Sequence, residues 1–171
     1  MSLLASHALK LNLIDRRNEI NHRMLLLDQK LNDLQRYSSS IGDETISMFD
    51  MMNLPSSMFG RAMAFMNYSH NGAMRGAQMN AQMMGPQIQA QMQQMGQTDP
   101  NSMALYQQWI MKNLYTQELS KYQKYETKLL NQQEKEIQKE KANLSAELQI
   151  INQQMQTADQ IGKESLQSFK A

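Results

Sequence analysis

The stretch PNSMALYQQWIMKNLYTQELSKYQKYETKLLNQQEKEIQKEKANLSAELQIINQQMQTADQIGKESLQSF, residues 100–169, decides the fold. No proline follows Pro100 and no glycine precedes Gly162, so nothing interrupts a helix over most of its length. Leu130, Ile137, Leu144, Ile151 and Ala158 recur at seven-residue steps, with Leu148 and Met155 four residues behind two of them. A stripe of that period holds one face of a helix against a neighbour over many turns. Asp99 is placed to cap the first free N–H groups, and Pro100 suits the first helical position. The reading is a single helix on the order of 100 Å long, which predicts an elongated or assembled molecule. Near Leu129 and Leu130 the stripe shifts by one residue, where the helix is expected to bend or change partner. Glu134 and Lys141 occupy seam positions, which weakens packing until Leu144.

Working outward, the other end of the chain carries a second stripe. Leu9, Leu13, Ile20, Met24, Leu27, Leu31 and Leu34 recur at three- and four-residue steps, with Arg16, Glu19, Arg23, Asp28, Lys30, Asp33 and Arg36 opposite. This is an amphipathic helix of coiled-coil type. Ser38, Ser39, Ser40 and Gly42 end it, and Asp43 can cap the next element of the chain. Between the two stripes the composition changes. From Thr45 to Thr98 the charged residues are Asp50, Arg61 and Arg75, while 12 of the 17 methionines fall there. Pro55, Gly60, Gly72, Gly76, Gly85, Pro86 and Gly96 divide this window into pieces of one to three turns. The expected organisation is an N-terminal helix over 1–42, a Met/Gln-rich middle of short helices and turns over 43–98, and a long C-terminal helix over 99–171. The fold class is all-α, an elongated helical hairpin or coiled coil of the two terminal helices around that helical middle.

The totals bound the function. The chain has 171 residues, 6% aromatics, no cysteine and a formal net charge of +1, with the two signs interspersed, which disfavours nucleic acid as a partner. Without cysteine there is no disulfide, thiolate nucleophile or zinc–thiolate site. The first residues lack the continuous apolar run of a cleavable signal, and no window is apolar enough to span a membrane. No phosphate loop, Ser-His-Asp arrangement or zinc signature appears, so no enzyme and no cofactor is expected.

Three constellations suggest chemistry, and each has a plainer reading. Glu19 and His22 form half of a di-iron helix motif, but no second Glu-x-x-His exists to complete it. Met48–Met51, Met63–Met66 and Met92–Met95, with His70, place soft thioethers a turn apart, which suits Cu(I); adaptable apolar packing explains them better. Trp109, Tyr115, Tyr122 and Tyr125 with Lys112, Lys121 and Lys124 resemble a base-stacking surface, yet Glu118 and Glu126 and the helical spacing favour a core or an interface. No metal ligand set is assigned.

The layout of an apolar-striped helix at each end and a variable middle resembles flagellin termini and the coiled-coil filament subunits of type III secretion systems. The resemblance is carried by Leu9 to Leu34 at one end and Leu130 to Phe169 at the other, and the small-residue start Met1-Ser2-Leu3-Leu4-Ala5-Ser6 is compatible with uncleaved export. It implies an exported subunit whose terminal helices pair lengthwise and stack into a filament.

The expected function is therefore a self-assembling structural protein whose main partner is itself. Its interface residues are Leu13, Ile20, Met24, Leu27, Leu31 and Leu34 with Leu130, Ile137, Leu144, Leu148, Ile151 and Met155. The competing class is a helical binding module, either a chaperone for another helical protein or a membrane-active translocator that meets the bilayer through residues 48–68. Location is left between the cytoplasm and export by an uncleaved-signal route.

Overall fold

A computed structural model describes residues 3–42, 52–94 and 99–168. Among the described residues three helices stand: α1 over Leu3–Gly42, α2 over Ser56–Gln94 and α3 over Pro100–Ser168. Among the described residues there is no strand, and the chain is an all-α helical bundle. The cap at Asp43, the Met48–Met51 pair, Met95 and Phe169 lie outside the described residues, and the side chain of Met92 is likewise not described.

The boundaries follow from local chemistry. Within α1 no proline or glycine occurs before Gly42, and near its end the hydroxyls of Ser39 and Ser40 donate to the carbonyl of Arg36 at 2.8 and 3.0 Å. Such back-bonding offers the chain an alternative to further helix. Helix α3 begins where the sequence places it. The Asp99 carbonyl accepts the Met103 N–H at 3.1 Å, and its carboxylate accepts the Ser102 hydroxyl at 3.2 Å.

The middle differs from its sequence reading. Instead of short pieces, α2 is one helix of 39 residues that runs through Gly60, Gly72, Gly76, Gly85 and Pro86. Local propensity loses here to packing. The face of α2 turned inward is lined by Ala62, Ser69, Ala73 and Ala77, all buried, and by two glycines that let α3 come close. A Cβ at Gly72 would stand 2.3 Å from the Tyr122 hydroxyl, and one at Gly76 would stand 3.0 Å from Cγ of Glu118. Each mid-helix glycine costs about 1 kcal/mol relative to alanine, and burying the facing surfaces offsets that loss. Before Pro86 stands Gly85, whose missing Cβ relieves the clash that a proline imposes on its predecessor.

This gives a contrast that can be measured. At Gly60 nothing lies within 4 Å of an added Cβ, so Gly60→Ala is expected to stabilise by about 0.5–1 kcal/mol through helix propensity alone. Gly72→Ala gains the same propensity but drives a methyl into the Tyr122 ring, and a net loss of about 1–2 kcal/mol is expected. Urea midpoints of the two variants decide the matter. If Gly72→Ala is as benign as Gly60→Ala, the helices do not approach there as described.

By internal contacts the chain forms two compact units. Met1–Asn32 and Gln132–Ala171 make the first, and Asp33–Asn131 makes the second. The division on α3 falls beside the shift in its apolar stripe at Leu129 and Leu130. Among the described residues no helix is long and apolar enough to cross a membrane.

Candidate functional site

In the first unit α1 and α3 run antiparallel, as four ion pairs establish. Lys10 pairs with Asp159 at 2.6 Å, Arg16 with Glu147 at 2.5 Å, Arg23 with Glu140 at 2.5 Å, and Asp28 with Lys141. From Lys10 through Arg16 to Arg23, numbers rising along α1 meet numbers falling along α3, from Asp159 through Glu147 to Glu140, and Lys141 beside Glu140 reaches on to Asp28. Each arginine engages one carboxylate oxygen through both Nε and Nη2. These pairs are largely exposed, so each contributes little stability, about 0–1 kcal/mol; what they mark is register.

Beneath them lie two rows of buried side chains at seven-residue spacing: Ser6, Leu13, Ile20 and Leu27 on α1, and Ile137, Leu144, Ile151 and Ala158 on α3. Ile20 and Leu144 line one cleft together with Arg16, Arg23 and Glu147. Ser6 and Ala158 line another with Lys10, Asp159 and Gly162. That register sets Leu13 level with Ile151 and Leu27 level with Ile137. Full burial of such side chains contributes about 1.5–3 kcal/mol each.

A second row, half-buried, alternates with the first: Lys10, Arg17, Met24 and Leu31 on α1, and Glu134, Lys141, Leu148 and Met155 on α3. In the same register each level joins one charged and one apolar residue. Lys10 lies level with Met155, Arg17 with Leu148, Lys141 with Met24 and Glu134 with Leu31. Long stems cover the apolar neighbour while the charged heads reach outward, as Lys10 and Lys141 do toward Asp159 and Asp28.

The twelve expected interface residues are thus placed within the chain itself. Leu13, Ile20, Leu27, Leu34, Leu130, Ile137, Leu144 and Ile151 are buried, and Met24, Leu31, Leu148 and Met155 are half-buried. Leu34 and Leu130 belong to the second unit, the others to the first. Leu9, read as part of the α1 stripe, is exposed, and the buried row instead extends back to Ser6, seven residues before Leu13. A polar residue there gave no signal; counting sevens back from Leu13 finds it.

The second unit is tied by a polar cluster that sequence reading missed. Glu126 on α3 is buried, and its Oε1 accepts from Arg61 Nε on α2 at 2.7 Å and, at 3.4 Å, from the hydroxyl of Tyr37 on α1. The Arg61 guanidinium also lies 5.6 Å from the centre of the Tyr37 ring. Burial first, and then the neighbouring Glu126 carboxylate, push the Tyr37 hydroxyl well above the usual tyrosine range, so it stays protonated. One buried carboxylate therefore joins all three helices. The available signal was Arg61 itself, one of two cations in a nearly uncharged window, a charge for which that window offers few partners.

The remaining candidates are structural or exposed. Tyr68 and Tyr122 pack edge to face at 5.2 Å, and His70 Nδ1 lies 2.8 Å from the Tyr115 hydroxyl. Met63 and Met66 are half-buried, whereas Trp109 and Tyr125 stand mostly in solvent, Trp109 stacked on Tyr106. Glu19 and His22 are both exposed on α1. Among the described residues no three His, Cys, Asp or Glu side chains gather where they could hold a metal ion.

No family model, no curated protein and no solved structure matches this chain.

Proposed function

We propose that this chain is a structural protein that self-associates, a helical hairpin of coiled-coil type that serves as the subunit of an exported filament or surface appendage. The observation that carries this reading is the incompleteness of the first unit. Two helices there bury one row each against the other, while Leu4, Leu11, Leu25, Leu26 and Ile150 remain half-exposed or more. Two-helix pairs with apolar side chains left in water gain stability when further helices cover them. Light scattering across a concentration series tests the reading. The mass is expected to rise above the 19.8 kDa of one chain as concentration increases. A species that stays monomeric at every concentration overturns it.

A second reading is supported by the methionine-rich middle, where Met52, Phe59 and Tyr68 within residues 48–68, and Met74, Met79, Met83 and Met84 beyond them, are exposed. Thioether side chains adapt to varied apolar partners, as a chaperone or a membrane-active translocator requires. Liposome flotation separates the two functions. Salt-resistant binding that requires residues 48–68 favours the translocator, because insertion of apolar side chains is not screened as surface charge is.

A further inference from the structure

In the half-buried row of the first unit, two charges differ from the rest. Lys10 and Lys141 end on carboxylates of the facing helix, but neither Arg17 nor Glu134 has an ion pair or side-chain hydrogen bond among the described residues. Both are half-buried, so each has given up part of its hydration without a partner, which is unfavourable. They have opposite signs. Arg17 is level with Leu148 and Glu134 is level with Leu31, two seven-residue steps further along α1 and about 21 Å away at 1.5 Å per residue. Within one chain they cannot meet.

Between those two levels, one step from each, lies the level of Met24 and Lys141. A two-fold axis crossing the pair there exchanges the two outer levels. We propose that a second copy of this chain docks on this face about such an axis, so that Arg17 of each chain enters the same layer as Glu134 of the other. The inference rests on the self-association reading and deepens it by naming the face. An isologous contact satisfies both charges at once, because the symmetry that brings Arg17 to Glu134 also brings Glu134 to Arg17. The same docking covers Met24, Leu31, Leu148 and Met155, which one chain leaves half-exposed. Along the edge of α1 it also approaches Leu11 and Leu25, now 52% and 55% exposed. The product is a four-helix layer structure in which interhelical charges fix register and partner. A lipid surface or an unrelated helix has no reason to offer one acid and one base at the spacing this face presents.

Charge exchange tests the proposal. Arg17→Glu and Glu134→Arg are each expected to weaken the dimer about tenfold or more in sedimentation equilibrium, since each sets like charges in a layer that closes over them. Arg17→Glu with Glu134→Arg is expected to restore association close to that of the unchanged chain. Circular dichroism of dilute samples should be equal for all four proteins, because both side chains can reach solvent in the single chain. If the unchanged chain associates and the single reversals do so equally well, copies meet elsewhere, so this face is refuted while self-association stands. If the singles fail and the double exchange does not recover, the pairing is likewise refuted. An unchanged chain that is monomeric throughout removes both, and the face then belongs to another occupant.

Discussion

Leu130→Asp is expected to cost on the order of 5 kcal/mol, much of the stability of a domain this size. Leu130 is fully buried, as is Leu34 on α1 at 1% exposure. The substitution first loses about 1.5–3 kcal/mol of apolar burial. It then places a carboxylate in the core, with buried Glu126 one turn back on the same helix and Arg61 already committed to Glu126. An unpaired buried charge adds several kcal/mol. Tyr125→Asp, five residues away at a side chain 62% exposed, provides the control and should change stability by no more than about 0.5 kcal/mol. Denaturant titrations of the two variants measure the difference, provided the slopes agree so that the midpoints can be compared. Similar midpoints for Leu130→Asp and Tyr125→Asp would mean that the end of the α3 stripe is not core.

Leu130 also shows where sequence reading succeeds. Five apolar residues at strict seven-residue steps can be buried on one face only if the helix is continuous, and α3 runs from Pro100 to Ser168 with all five buried. On α1 the same logic was blurred, because Leu9, Leu25 and Leu26 are as apolar as the buried residues yet lie off the row. Composition alone cannot separate a leucine facing a partner from one facing water; the period can. The α2 helix was illegible for a different reason. Its glycines and Pro86 signal breaks when read locally, and only the approach of Tyr122 and Glu118 shows that Gly72 and Gly76 make room for α3. Glu126 was hidden by its neighbours: among the lysines and glutamates of α3 it looks like one more solvated charge. Its burial is decided by Tyr37 and Arg61, each distant in sequence.

That burial makes Arg61→Met the second large effect. The guanidinium is partly exposed, its side chain 28% accessible, whereas the Glu126 side chain is 11% accessible. Removing the arginine therefore strands the more deeply buried member. What is left to it is the Tyr37 hydroxyl at 3.4 Å, too long to replace a charged donor at 2.7 Å. The expected loss is about 3–5 kcal/mol, as for other buried pairs broken from one side. Methionine keeps an unbranched apolar stem like that of arginine, so packing loss contributes little of it. The decisive comparison is with the double variant Arg61→Met, Glu126→Leu. If the cost arises from the stranded carboxylate, the double variant is more stable than Arg61→Met alone, because replacing both charges with apolar side chains removes the desolvation penalty together with the attraction. Additive losses would instead mean that the two side chains act independently, and that the three helices of the second unit are joined by apolar packing without this pair. A loss below about 1 kcal/mol for Arg61→Met would show that the pair behaves as a solvated surface contact.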